Sequence, residues 1–301
     1  MPQLYIDDET WAPKAREALG WVKYHQDHNI YDQSGIDIDF QLPYFPHEPW
    51  LDIAKQFDIA LELSQPQAGE WVLDLGAGRG WAAKHFALRG CQAVAIDIVS
   101  DDQVGLGRSR ALMQAAGVTY DTLIADSEQL PFADRSFDLV FCAAALHHTT
   151  DLARLLKNIG RVLRPGGRMI AINEPCVPDQ SDDEELRQTV LAEELSYGIN
   201  ETRPRLADYR RVLRAAGLHE QLLVTPETYQ STLENMTAWS LELRISSPSA
   251  FIQPEPHLPT KVWRILGRRK PMPPYRSQLP QGWIDHLLRE RGAAMILLAT
   301  K

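Results

Sequence analysis

One run of residues, Trp71-Val72-Leu73-Asp74-Leu75-Gly76-Ala77-Gly78-Arg79-Gly80-Trp81, restricts the fold of this chain more than any other. Residues 71–75 read as a short buried strand. Glycines then recur at alternate positions, and an amphipathic helix follows through Ala82, Ala83, Phe86 and Leu88. Glycine accepts positive φ and has no Cβ, so a ligand can lie against such a turn while the free N–H groups of the helix N-terminus point into the gap. A turn that only packs helix on strand is the plainer alternative.

The spacing separates the ligand chemistries that use this geometry. A dinucleotide fingerprint needs G-x-G-x-x-G, whereas here Asp74 is followed by glycines two apart; a P-loop needs Gly-Lys-Ser/Thr, which is absent. A nicotinamide oxidoreductase is therefore disfavoured. An acid at the strand end suits a cationic ammonium group better than a phosphate. The run resembles the first motif of class I S-adenosylmethionine-dependent methyltransferases, whose ligand carries an amino acid and a sulfonium but no phosphate. The resemblance implies S-adenosyl-L-methionine as cofactor, with Asp74, Gly76, Ala77 and Gly78 at its amino-acid end.

At 301 residues the chain suits one α/β domain with additions. Apolar Trp50, Ile53, Ala54, Phe57, Ala60 and Leu61 predict a helix over 50–63, and strands and helices then alternate with short joins, as a parallel sheet covered on both faces requires. A second strand over 91–98 closes on Asp97 and Ile98. One carboxylate can accept from two vicinal hydroxyls, so Asp97 is placed to hold a ribose diol at the carboxyl edge where open α/β sheets bind ligands.

A helix over 104–116, stopped by Gly117, and a third strand over 119–125 lead to Asp126-Ser127-Glu128-Gln129-Leu130-Pro131-Phe132-Ala133-Asp134-Arg135-Ser136-Phe137-Asp138-Leu139-Val140. This block resembles the methyltransferases similar to the ubiquinone and menaquinone C-methyltransferases, the type 11 family. The resemblance implies that Asp126 contacts the adenine amino group and that Ser127 and the residues after it close over the ring; Leu130, Pro131 and Phe132 form that cover or simply pack a turn. The fourth strand, 137–144, contributes Ala143 to the cofactor edge and runs into Ala145-Leu146-His147-His148-Thr149-Thr150. Thr150 is placed to cap a helix bearing Leu152, Leu155, Leu156, Ile159, Val162 and Leu163 on one face. Arg164-Pro165-Gly166-Gly167 and a fifth strand over 168–173 complete an order that is again similar to the family. The matched motifs span residues 71–173. They imply a Rossmann-like α/β fold: a seven-stranded, mostly parallel sheet with an antiparallel last strand, helices on both faces, and elaborations at both ends.

Residues 1–49 read as an irregular, aromatic-rich extension or lid, with Trp11, Trp21, Tyr24, Tyr31, Phe40, Tyr44 and Phe45 mostly packing; Tyr24, His25, His28 and Tyr31 are spaced as one helical face. The core is expected over 50–224, with a helix near 184–194 after the acidic cluster at Asp179 to Glu185, another at 206–216 and a sixth strand at 218–224. Residues 293–301 supply the returning last strand. That leaves 225–292 as an insertion too long for a hairpin loop, expected to cap the substrate. It holds Trp239, Trp263 and Trp283 and a run from Lys261 to Arg276 rich in Lys and Arg. Such a run could grip an anionic substrate, a phospholipid surface or RNA, or pair with the acidic cluster.

A net charge of −9 argues against a protein whose main task is holding a nucleic-acid backbone. No apolar stretch approaches the length of a membrane span and no signal-peptide h-region is visible, so a cytoplasmic location is expected. Cys91, Cys142 and Cys176 read as free buried thiols, with no metal site. Methyl transfer from a sulfonium asks chiefly for alignment of acceptor, carbon and sulfur. A base is needed only where the acceptor must lose a proton, and His147, His148 and Glu174 are the candidates. Cys142-Ala143-Ala144-Ala145 stands where methylation of exocyclic base nitrogens requires Asn/Asp-Pro-Pro-Tyr, and no carboxylate cluster supports metal-assisted catechol chemistry. The expected function is methyl transfer to a small or lipid-like acceptor, on carbon or oxygen. A non-catalytic S-adenosylmethionine-binding regulator and an RNA-directed methyltransferase are the alternatives. The acceptor and the oligomeric state are not legible.

Overall fold

The computed structural model describes residues 8–28, 36–46, 49–226, 228–229 and 281–301. Its strands are β1 (Trp71–Leu75), β2 (Gln92–Asp97), β3 (Asp121–Ile124), β4 (Phe137–Ala143), β5 (Leu163–Cys176), β6 (His219–Val224) and β7 (Ala293–Thr300), in the spatial order β3-β2-β1-β4-β5-β7-β6. The first five strands are parallel, and β7 runs antiparallel between β5 and β6. The expected sheet is thus present. The strand order reverses between β1 and β4, and the register sets Leu75 beside Ile96 and Cys142 and Asp97 beside Ile124. The carboxyl ends of these strands therefore meet on one edge at the switch point, where open α/β sheets form a crevice.

The helices are α1 (Asp8–Asp27), α2 (Ile36–Gln41), α3 (Trp50–Ser64), α4 (Trp81–Leu88), α5 (Ser109–Ala116), α6 (Leu152–Val162), α7 (Asp183–Gln188), α8 (Ala192–Ser196), α9 (Leu206–Ala215) and α10 (Gln281–Arg291). Helix α6 buries Leu155, Leu156, Ile159 and Val162 completely, the stripe its spacing predicts. Its cap is Asp151, which accepts from Arg154 N at 2.9 Å, and not Thr150. The Thr150 hydroxyl is occupied by Glu128, donating to its carboxylate at 2.8 Å.

Other expectations need correction. Residues 1–49 are not irregular throughout, since α1 is a long helix. Its buried positions include Lys14, Glu17 and Gly20, so no apolar period announces it. Strand β5 starts at Leu163 rather than 168, because the chain end pairs there: Gly166 N donates to Lys301 O and Lys301 N to Gly167 O, each at 3.0 Å. The helix expected over 184–194 is two short helices, the first capped by Asp182, which accepts from Glu184 N and Glu185 N. The helix over 104–116 begins as a 3-10 turn, Leu106–Arg108.

Within 225–292, the stretch 231–280 lies outside the described residues, and with it Trp239, Trp263 and the basic run; so does Tyr31. Helix α10 belongs with the sheet: Ile284 and Leu288 are fully buried, and the Arg210 guanidinium forks to Glu220 and Asp285. In the acidic stretch Asp179 takes Arg289 at 2.6 Å and Asp183 takes Arg205 at 2.8 Å. Cys91, Cys142 and Cys176 are buried and free, as expected. No helix among the described residues is long and apolar enough to cross a membrane.

Candidate functional site

At the switch point the 76–80 turn, the ends of β2 and β4 and helix α1 enclose a cavity of about 320 Å³. Gly76 sits at φ 68°, and a Cβ there would fall 2.7 Å from the Ala145 Cβ. Gly78, at φ 51°, has nothing within 4 Å of the corresponding point. The first glycine lets the β1 and β4 turns touch, and the second leaves backbone open to a ligand. Ala77 completes this wall.

Asp97 lines the cavity, with both oxygens anchored: Gly78 N donates to Oδ2 at 2.7 Å and Val99 N to Oδ1 at 2.8 Å. Burial raises its pKa above the usual carboxylate range against these donors. Ile98, Ser127 and Ala143 also lie on the wall. Asp126 does not. Half-buried behind Ser127, its carboxylate accepts from Glu128 N at 2.9 Å and caps the 3-10 turn Ser127–Gln129.

Asp74 is likewise behind the wall. It is 2% exposed, and Ala83 N donates to it at 2.8 Å, so it serves α4 as the capping side chain that Gly80 lacks. Burial pushes its pKa from 3.8 to about 7. A raised carboxylate pKa means the folded state holds the proton more tightly, so stability associated with Asp74 is present at low pH and lost as pH rises through about 7. Asp74→Asn keeps the acceptor oxygen without the charge. Its Tm relative to wild type is expected to climb between pH 4 and pH 8; a constant difference would mean that Asp74 stays charged throughout.

The three candidate bases are brought together but differ in access. Glu174 is fully buried, and its carboxylate accepts from Ala145 N at 2.8 Å, Leu146 N at 3.0 Å, His147 N at 3.3 Å and His147 Nδ1 at 2.8 Å. Burial alone would raise its pKa; His147 and the backbone donors outweigh that and hold it below the usual range. Neither Glu174 nor His147, which is 6% exposed, is on the wall, and both are committed to shaping the turn. His148 is on the wall. Its Nδ1 lies 2.8 Å from Glu201, a residue the motif reading passes over because it sits in a stretch without recognisable pattern.

The aromatic N-terminal segment supplies the opposite wall through Lys14, Glu17, Trp21 and His25 of α1. Lys14 reaches Glu17 at 3.3 Å and Glu128 at 3.2 Å, tying the helix to the loop after β3. Trp21 meets His148 edge-on, with ring centroids 5.0 Å apart. Burial, then the charge of Arg79, lowers His25 to about 4, so this ring is neutral at pH 7. Of the expected helical face, Tyr24 and His28 pack with Tyr197. The docking depends on Gly20, where an added Cβ would stand 2.3 Å from the Tyr197 carbonyl oxygen. Gly20→Ala should favour the helix by about 1 kcal/mol yet lift it from its seat. Limited proteolysis is expected to cut α1 several-fold faster in this variant; unchanged protection would show the helix is held elsewhere.

Residues 73–171 match the family model described as a methyltransferase domain. The ubiquinone/menaquinone biosynthesis C-methyltransferase of Pseudomonas putida (strain GB-1) is 37% identical over 129 residues, 42% of this chain and 48% of that protein. The 27-O-demethylrifamycin SV methyltransferase of Amycolatopsis mediterranei is 31% identical over 159 residues, 52% of this chain and 56% of that one. The chain thus spans about half the length of the curated relatives it matches. Geranyl diphosphate methyltransferase, solved with S-adenosylmethionine, shares the fold with a TM-score of 0.55 at 14% identity, over 85% of this chain and 92% of that one.

Proposed function

We infer that this chain, built around a class I S-adenosylmethionine-dependent methyltransferase domain of the type 11 family at residues 73–171, transfers the methyl group of S-adenosyl-L-methionine to a small or lipid-like acceptor, on carbon or oxygen. One observation carries the reading: the open backbone at Gly78, the anchored carboxylate of Asp97 and the end of β4 face a single cavity at the switch point. The amino-acid end of the cofactor lies along Gly76, Ala77 and Gly78, the ribose diol on Asp97, and the adenine between Ile98 and Ser127. Asp126 spends Oδ1 on the Glu128 N–H that caps the turn, and its Oδ2 is the atom to take the adenine amine.

The transferred methyl then points past Ala143 toward the side of the cavity lined by Trp21, Trp50 and Trp81. Those rings favour a ring-bearing acceptor, and two of the relatives are named for ubiquinone/menaquinone biosynthesis and for 27-O-demethylrifamycin SV. Alignment between α1 and the sheet supplies most of the catalysis. Where the acceptor must shed a proton, His148 is the wall residue that takes it, while Glu174 and His147 hold the turn that presents it. Residues 1–49 act as the lid, 50–224 with 293–301 as the core, and part of 225–292 as a further substrate cap.

Calorimetric titration tests this reading. Saturable binding of S-adenosyl-L-methionine with none of NADH is expected; failure to bind either the sulfonium or its demethylated product would overturn it.

A further inference from the structure

The residue behind His148 comes from a part of the chain remote from every motif. The His148 Nδ1 lies 2.8 Å from Glu201 Oε2 and 2.9 Å from the Asn200 carbonyl oxygen. A ring nitrogen facing two acceptors carries a proton, so in the neutral ring the lone pair is on Nε2. We propose that Glu201 is a positioning residue for His148, holding the imidazole with Nδ1–H inward so that Nε2 can take a proton from an acidic hydroxyl or carbon of the methyl acceptor. This rests on the methyl-transfer reading above and narrows the acceptor to one that must lose a proton.

The carboxylate is built into place. Asn200 Nδ2 donates to His148 O at 3.0 Å and Thr149 O at 2.8 Å, while Thr202 donates to His147 O through N at 2.9 Å and Oγ1 at 2.7 Å. Both neighbours of Glu201 are thereby stapled to the Leu146–His148 turn. Glu201 is 4% exposed, and its other oxygen lies 3.1 Å from Arg203 Nη2; against burial, the His148 bond, then the charges of His147, His148 and Arg203, hold its pKa below the usual carboxylate range.

The charged surroundings agree. His147 stacks obliquely on His148 with centroids 4.1 Å apart; Glu174 faces it from β5, Glu17 from α1 and Asp97 from β2. Burial would lower the His148 pKa, but the bond and charge of Glu201, with Asn200 and Glu174, raise it on balance. An imidazolium formed here is stabilised, as an oriented carboxylate does for a general base.

The step balances. The acceptor proton passes to Nε2, and the electron pair it leaves forms the new bond to the methyl carbon. The carbon–sulfur bond breaks with its pair going to sulfur, giving S-adenosylhomocysteine. The positive charge moves from sulfonium to imidazolium and leaves as a proton to water.

His147, His148 and Glu201 also present ligand atoms within 4.8 Å of one another, a spacing that could suit a metal ion. With its proton on Nδ1, facing Asn200 O and Glu201, His148 has no lone pair to offer a metal from that nitrogen.

The test is an NMR titration of the histidine rings with S-adenosylhomocysteine as probe, on wild type, Glu201→Gln and Glu201→Asp, with His148→Asn assigning the resonance. Wild-type His148 is expected to titrate above 6.5 as the Nδ1–H tautomer. Glu201→Gln should lower that value and mix the tautomers, and Glu201→Asp should restore much of it. Calorimetry with the same probe should change less than about threefold across the series. An unchanged His148 pKa and tautomer in folded Glu201→Gln would overturn the proposal, as would stoichiometric Zn²⁺, added alone, shifting both histidines. Loss of probe binding by wild type would instead strike the methyl-transfer reading, with the ring titration still read on the free protein.

Discussion

Asp97→Ala is expected to weaken binding of S-adenosyl-L-methionine by roughly tenfold or more, the loss that removing a hydrogen bond to a charged group of about 1.5–3 kcal/mol implies. The effect has two sources. In the proposed binding mode the carboxylate accepts from the ribose diol, and its oxygens also receive Gly78 N at 2.7 Å and Val99 N at 2.8 Å. Removing it frees the glycine turn on one side and the loop after β2 on the other, so both walls of the cofactor site lose definition. Asp97→Asn separates the two, since an amide oxygen can still receive a backbone N–H but presents one acceptor rather than two. Isothermal titration of the three proteins gives the ranking wild type, Asn, Ala. Equal affinities would show that the diol is held elsewhere and would shift the ligand's position along the sheet edge.

Arg168→Ala should cost about 3–5 kcal/mol of folding stability, the range for stripping one partner from a buried ion pair. Arg168 is 4% exposed at the start of the paired part of β5, and its guanidinium forks to Glu70 at 2.6 Å and 3.1 Å. It also donates to the carbonyls of Ser64 and Gln65 at the end of α3. A truncated side chain takes the guanidinium from the Glu70 carboxylate, which keeps Gln67 N at 2.9 Å, and takes a donor from the Ser64 carbonyl. Urea unfolding of Arg168→Ala beside Arg168→Met/Glu70→Leu checks the cause. The double variant, which removes the Glu70 charge as well, is expected to be the more stable of the two. If it is no better, packing rather than charge explains the site.

The sheet was legible because β1, β2 and β4 are near-continuous apolar runs, β1 closed by a glycine and β2 by an acid, and because helices such as α6 carry a clean buried stripe. Asp97, Gly76, Ala77, Gly78, Ile98, Ser127 and Ala143 are found on the cavity wall, where their positions at strand ends put them. Residue type does not reveal which way a side chain turns. Asp74 and Asp126 stand at equivalent strand ends but each commits one oxygen to a cap, and Glu174 spends four bonds on a turn. Glu201 was invisible for the opposite reason: nothing in its neighbourhood repeats, and only the staples of Asn200 and Thr202 bring it to His148. Helix α1 escaped because its buried face carries Lys14 and Glu17, which breaks the apolar period on which such recognition depends.

That polar underside also sets the energetics of access. Raising α1 returns the Lys14 ammonium and the Glu17 carboxylate to water, so hydration offsets much of what the ion pairs lose, while the ring contacts of Trp21, Tyr24 and His28 are given up. In the lid proposed above, charge is thus part of what holds the helix shut. A bound ligand deepens the shut state through mass action, and an empty pocket leaves it shallow. Exchange at this gate should accordingly quicken with ionic strength, whereas a greasy lid would tighten under the same salt.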